Sequence, residues 1–221
     1  MKPNKSNDET FLQLTNIANN FKSTEENYLL SYPYFLNYFQ NLESINLENL
    51  VIGISFTYSW MPTILKALNL KNTEEVLFIL NEVKKGKLID EQQLTTLKTT
   101  FNNSLVGTSK LLHFINPKQY AIWDSRVFRF LNDVEPHKYR LEKPRAYIEY
   151  LKLIEELKNE KAFTAFFDLI KQDAQAVFLV GDTFDFWFEY QQVIPKGYVR
   201  FFAKLMELKE SGIDIHIFVG N

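Results

Sequence analysis

Cysteine is absent from the 221 residues, which excludes a disulfide framework and any thiolate metal site. Glycine is scarce: of seven, only Gly53, Gly86 and Gly107 fall in the first 160 residues. A stretch so poor in glycine has few left-handed turns to offer and reads as helix punctuated by caps. No run approaches the roughly 18 apolar residues of a membrane span, and residues 1–10 are polar, without the apolar core of a signal segment. A cytoplasmic location is expected. Positive charge is not in excess either, since the formal net charge is −2. Contact with nucleic acid must therefore rest on a local patch. What remains is a chain with 46% hydrophobic residues, long enough to bury a core as one large domain or two small ones.

The first 160 residues carry helix signals. Ser23 with Glu26 and Asp90 with Gln93 have capping-box spacing, in which an N-cap oxygen and a side chain three residues on satisfy free backbone N–H groups. Tyr28, Tyr32, Phe35 and Phe39 recur every three to four residues, as do Val76, Leu77, Leu80 and Val83, the period of a buried helix face. Pro62 and Pro144 sit where a first-turn proline is tolerated and are expected to open helices ending near Leu68 and Leu157. Seven or eight helices are predicted before residue 160. After Lys161 the texture changes. Val177 to Val180 is a short apolar run closed by Gly181, residues 195–209 are amphipathic, and Ile213 to Val219 alternates. Strand, helix and strand in that order predict two parallel strands joined by a right-handed crossover. The expected fold is mainly α with a short C-terminal β-α-β segment, divided into residues 1–160 and 161–221.

The string from Val177 through Gly181, Asp182, Thr183, Phe184 and Asp185 to Trp187 places a carboxylate just past a strand, and Gly220-Asn221 follows the next strand. Strand ends in α/β sheets are where ligands converge, and paired divalent ions need bridging carboxylates and neutral oxygen or nitrogen donors. Gly181, Asp182 and Asp185 fit the Gly-Asp-x-x-Asp block of the calcineurin-like metallophosphoesterases, and Gly220-Asn221 begins their Gly-Asn-His block. With Phe184 to Tyr190, Val193 to Gly197 and Phe218 to Asn221, residues 162–221 resemble the UDP-2,3-diacylglucosamine diphosphatase-like branch of lipid A synthesis. The resemblance implies Asp182 as a bridging metal ligand and Asn221 as a ligand of the second metal. The family's Asp-x-His strand is missing before Val177, the chain stops before the histidine due after Asn221, and His216 lies away from motif spacing. A metallophosphoesterase fragment without activity of its own is expected, and Mn²⁺ or another divalent ion would be its cofactor only if the site were completed. Without the resemblance, Asp182 and Asp185 read as turn residues.

A second constellation lies in the helical part. Leu105 to Pro117 contains Gly107 and Lys110, and Ala121 to Leu131 contains Asp124, Arg126 and Arg129. A lysine amine can attack a sugar C1′ to form a Schiff base, and a carboxylate can stabilise the cationic transition state or deprotonate the nucleophile. The target base of such chemistry must be flipped from its stack. The segment resembles the helix-hairpin-helix DNA glycosylase superfamily, which includes 8-oxoguanine glycosylase-like proteins, with Gly107 at the hairpin, Lys110 at the nucleophile and Asp124 at the aspartate. It departs from the pattern in keeping one hairpin glycine, in a shorter Lys-to-Asp spacing and in Arg126 replacing a histidine. The resemblance implies catalysis by Lys110 and Asp124, DNA contacts from Gly107, Arg126 and Arg129, and no cofactor.

The plain alternatives are a solvated Lys110, an N-cap Asp124 worth about 1 kcal/mol to its helix, and a core or interface role for His113. Trp123, Phe128 and Phe130 read as core, with Trp123 the one candidate for base stacking. Between Lys110 and Arg145 eight Lys/Arg face four Asp/Glu, a local excess that suits a phosphate backbone or simply a solvated face. The sequence thus predicts a DNA glycosylase/lyase-like domain fused to an incomplete phosphoesterase, with a phosphoesterase segment or a non-catalytic DNA-binding module as alternatives. DNA is the expected partner, with self-association through the unpaired edges of the C-terminal strands.

Overall fold

The computed structural model describes residues 9, 10, 12–14, 16, 27–61, 63–172, 174–181 and 199–219. The chain divides into two compact units, Met1–Ile154 and Glu155–Asn221. The chain is mainly helical with one small parallel sheet.

In the first unit the described helices are α1 (Asn27–Gln40), α2 (Leu47–Ser59), α3 (Thr73–Lys84), α4 (Glu91–Thr100), α5 (Leu105–Ile115), α6 (Ser125–Asn132), the four-residue α7 (Lys138–Leu141) and α8 (Pro144–Ile170). The division between units falls within α8. Several starts are local chemistry. The Asp90 box forms as predicted, with Gln93 N–H donating to Asp90 Oδ1 at 2.8 Å and Asp90 N–H to Gln93 Oε1 at 3.2 Å. Asn46 and Asn49 make a second box ahead of α2, which a search for Glu or Gln at the third helical position overlooks. Pro144 opens α8, but the helix runs on to Ile170 instead of ending near Leu157. Ser23 and Glu26 lie outside the described residues.

The helix expected after Pro62 is absent. Pro62 lies outside the described residues, and 63–70 are irregular. Their backbone is taken up by the α4–α5 turn: Leu68 bridges Phe101, Asn69 N–H donates to Thr100 O, and Asn102 N–H donates to Ala67 O. Partners far along the chain satisfy those groups, so the first-turn signal of a proline does not decide the segment.

Helix α5 is the hub, touching α1, α2, α3 and α4. Leu105, Leu111, Leu112 and Phe114 of α5 are fully buried, as are Phe39, Leu50, Ile54, Leu80, Leu94 and Leu97 on the helices that touch it. Gly53 lets α1 and α2 approach, because a Cβ there would lie 2.4 Å from the Phe39 ring.

In the second unit β1 (Ala176–Gly181) pairs in parallel with β2 (Asp214–Val219), in register from Ala176↔Asp214 to Gly181↔Val219, with α9 (Val199–Glu210) between them. Val177 and Ile213 pack with Leu205, Leu208 and Phe167 in a small core. On the sheet's other face Phe178 stacks on its register partner His216 at 4.7 Å, with Phe178 60% exposed. Among the described residues no helix is long and apolar enough to cross a membrane.

Candidate functional site

The hub helix decides what Lys110 can do. Eight of the eleven residues of α5 are buried, and the half-buried Val106, Lys110 and His113 are spaced four and three apart, on one stripe of the helix. Lys110 therefore sits in the middle of α5 and is not a freely solvated lysine. Its Nζ donates to the Trp60 carbonyl at 3.3 Å. Burial pulls its pKa below the ordinary lysine value; the Asp124 charge opposes that pull and the Arg126 charge adds to it. Loss of water from around an ammonium disfavours the charged form, so the site holds more neutral amine than an exposed lysine would.

Asp124 is the N-cap of α6, as one of the two readings had it. Its Oδ1 accepts from both Arg126 N–H and Val127 N–H at 2.9 Å, and the other carboxylate oxygen takes part in neither bond. Sequence reasoning missed what registers this residue against Lys110. Ser109, next to Lys110 and fully buried, accepts the Trp123 N–H at 3.1 Å. Its own hydroxyl lies 2.9 Å from Val106 O and 3.1 Å from Trp123 O. One hydroxyl thus ties the neighbour of the lysine to the neighbour of the aspartate. No motif marks a serine for this role, because the partner is a backbone fourteen residues away.

His113 is held from both sides. Its Nδ1 faces Tyr120 O at 2.7 Å and its Nε2 faces the Tyr32 hydroxyl at 2.8 Å. A carbonyl accepts only, so Nδ1 carries the proton and Nε2 accepts from Tyr32. Burial lowers the imidazole pKa, with the Tyr120 carbonyl opposing. Tyr32 in turn stacks on Trp60 at 5.6 Å, whose indole donates to Ser31 Oγ at 2.8 Å. An aromatic wall therefore backs the carbonyl that receives Lys110. A cleft of about 430 Å³ at the end of α2 is lined by Tyr58, Ser59, Met61 and Ile64 and flanks Trp60; Lys110 does not line it.

Two expectations are corrected. Gly107 is not in the hairpin turn, which is Phe101–Ser104 with Asn102 and Asn103 in the left-handed region at φ 58° and 50°; asparagine tolerates that region better than most side chains. Gly107 lies inside α5 against Tyr58, whose Oη would be 2.8 Å from a Cβ, and its N–H donates to Ser104 Oγ at 3.2 Å. The start of α5 already holds an anion: Glu142 Oε2 accepts the Leu105 N–H at 2.7 Å and lies 3.6 Å from Lys98 Nζ. A protein carboxylate occupies the place at which hairpin amides would meet a phosphate. Trp123, in turn, is no stacking platform. It is 2% exposed, packed on Phe128 and Tyr150, and donates its indole N–H to Leu141 O at 3.0 Å.

Arg126 is exposed, whereas Arg129 is paired with Glu135 at 2.7 Å. Asp182 and Asn221 lie outside the described residues. Among the described residues no three His, Asp or Glu side chains gather as a metal site, and His216 stacks on Phe178. The described part of the second unit therefore offers no cluster of three such donors for an ion.

The chain is 44% identical over 62 residues to the UDP-2,3-diacylglucosamine hydrolase of Porphyromonas gingivalis, a stretch covering 28% of this chain and 24% of that protein. A fragment similar to that hydrolase is thus present, and the chain spans about a quarter of the relative's length. No family model matches the chain, and no solved structure matches it.

Proposed function

We propose that the helical unit is a DNA base-excision glycosylase/lyase in which Lys110 is the nucleophile and Asp124 the supporting carboxylate. The observation that carries the reading is a half-buried amine whose pKa is lowered by burial and which feels the charge of the helix-capping Asp124. In its neutral form the amine attacks C1′ of the damaged nucleotide, the glycosidic electron pair leaves with the base, and the base takes up a proton. Loss of the amine's proton and opening of the sugar ring then give a Schiff base. Asp124 offsets the positive charge that develops at C1′. Incubation with lesion-bearing duplexes and borohydride, which reduces the imine to a stable amine, is expected to trap a covalent adduct. Lys110→Ala abolishes it. No adduct from the intact chain across several lesions would refute the lyase, and salt-dependent binding that survives Lys110→Ala would leave a DNA-binding module without chemistry.

A second reading rests on the hydrolase similarity: the C-terminal unit is a metal-dependent phosphoesterase segment, acting on a UDP-linked sugar or related phosphate ester, with Asp182 and Asn221 as ligands. Two ligands alone hold a divalent ion poorly. The chain by itself is expected to be inactive in Mn²⁺, and hydrolysis lost in Asp182→Ala would overturn that expectation.

A further inference from the structure

We propose that the segment His137–Arg145, between α6 and α8, is a nucleic-acid backbone contact surface that adjoins the Lys110 site. The inference rests on the glycosylase reading for its partner, and on separate observations for its place.

Nine residues here carry four Lys/Arg against one acid, Glu142, in a chain whose formal charge is −2. The acid does not neutralise the surface. Glu142 is turned inward, its side chain 17% exposed, and is committed to Leu105 N–H and Lys98. Of the cations, only Arg145 is paired, with Glu149 at 3.2 Å. Lys138, Arg140 and Lys143 are exposed, and among the described residues no carboxylate pairs with them. Tyr139 is 68% exposed, with the Lys143 ammonium 4.4 Å from its ring centroid. A ring capped by an ammonium is a poor apolar anchor for a lipid surface but is suited to a phosphate strand with a base or sugar beside it.

The cluster is also held in place. Leu141 O accepts the Trp123 indole, Glu142 O accepts Lys98 Nζ at 2.7 Å, and Tyr147 Oη donates to Ala121 O at 3.0 Å. These bonds fix the segment to the residues preceding Asp124 and to the end of α4. Exposed Arg126, whose charge is felt by the Lys110 ammonium, continues the positive character to the site. Because Glu142 fills the anion position at the start of α5, backbone phosphates are left to be met by these side chains.

The test is equilibrium binding of the full chain to a fluorescein-labelled, lesion-free duplex of about 20 base pairs over a range of KCl concentrations. Each lost phosphate contact lowers the magnitude of the negative slope of log K against log salt by about 0.9. Lys138→Gln, Arg140→Gln and Lys143→Gln are each expected to lower it by that amount, and the triple variant to lower it roughly threefold as much. Single variants keep the test valid if the triple variant unfolds. An unchanged slope, absence of duplex binding at low salt, or binding to phosphatidylserine vesicles in place of DNA would overturn the proposal. Borohydride trapping distinguishes the two readings: an adduct with an unchanged slope leaves the lyase standing without this surface, and a lowered slope without an adduct leaves the surface standing without the lyase.

Discussion

The two compact units are known by opposite means. The second unit carries the stretch of sequence similar to a curated hydrolase, yet Asp182 and Asn221 lie outside the described residues and the described donors do not cluster. No family model or solved structure matches any part of the chain, but the first unit folds around a complete hub helix and holds an amine, desolvated by burial, that feels the charge of a carboxylate. Likeness of sequence preserves the local marks of descent, such as Gly-Asp after a strand. Whether a site can act depends on side chains brought together from distant segments, and similarity over a quarter of a relative's length does not supply those.

The sharpest way to break the comparison is to remove packing inside the first unit. Trp123→Ala deletes a buried indole and its bond to Leu141 O, and should cost about 3–5 kcal/mol in chemical denaturation. A loss near zero would mean that this core is not built as described. Gly107→Ala is next. It forces a Cβ against Tyr58 and is expected to cost about 1–3 kcal/mol, with part recovered by Tyr58→Phe and with no change in the salt dependence of DNA binding. A phosphate-binding glycine would show the reverse.

Asp124 separates the cap from the charge. Asp124→Ala should cost about 1 kcal/mol of stability, whereas Asp124→Asn, also a good N-cap, should cost little. Both remove the carboxylate that holds the Lys110 pKa up, so the amine titrates at lower pH in either variant. NMR of the ¹³C-methylated lysine reads that shift. Ser109→Ala, nearly isosteric, should disturb the same titration by releasing the Trp123 backbone, with the fold retained. Titrations matching the wild type would assign Ser109 to packing alone.

The smallest effect belongs to the second unit. Lys171 and Lys204 flank Glu207 at 2.6 and 2.8 Å and depress its carboxyl pKa to about 2. The folded state therefore binds fewer protons than the unfolded one. This contribution is present above the ordinary glutamate value and is lost as pH falls toward 2. Between solvent-accessible groups it is small and screened by salt. Glu207→Gln should flatten the acid limb of the unit's thermal midpoint slightly, and an equally steep limb in the variant would dismiss the pair.

What the sequence determined by itself is what neighbours along the chain can decide: the Asp90–Gln93 box, the start of α8 at Pro144, the aromatic periodicity of α1, the strand-helix-strand order and the capping capacity of Asp124. These rest on side chains meeting backbone within one turn. Tertiary structure alone decided the rest. The segment after Pro62 gave up its helix because residues 100–102 satisfy its backbone. Gly107 became a packing residue because Tyr58 arrives from another helix. Glu142 reached the start of α5 from 37 residues away, and the Lys110 amine lost water because α5 is enclosed by four helices. Each depends on a partner far along the chain, and desolvation and long-range pairing leave no periodic trace in the sequence.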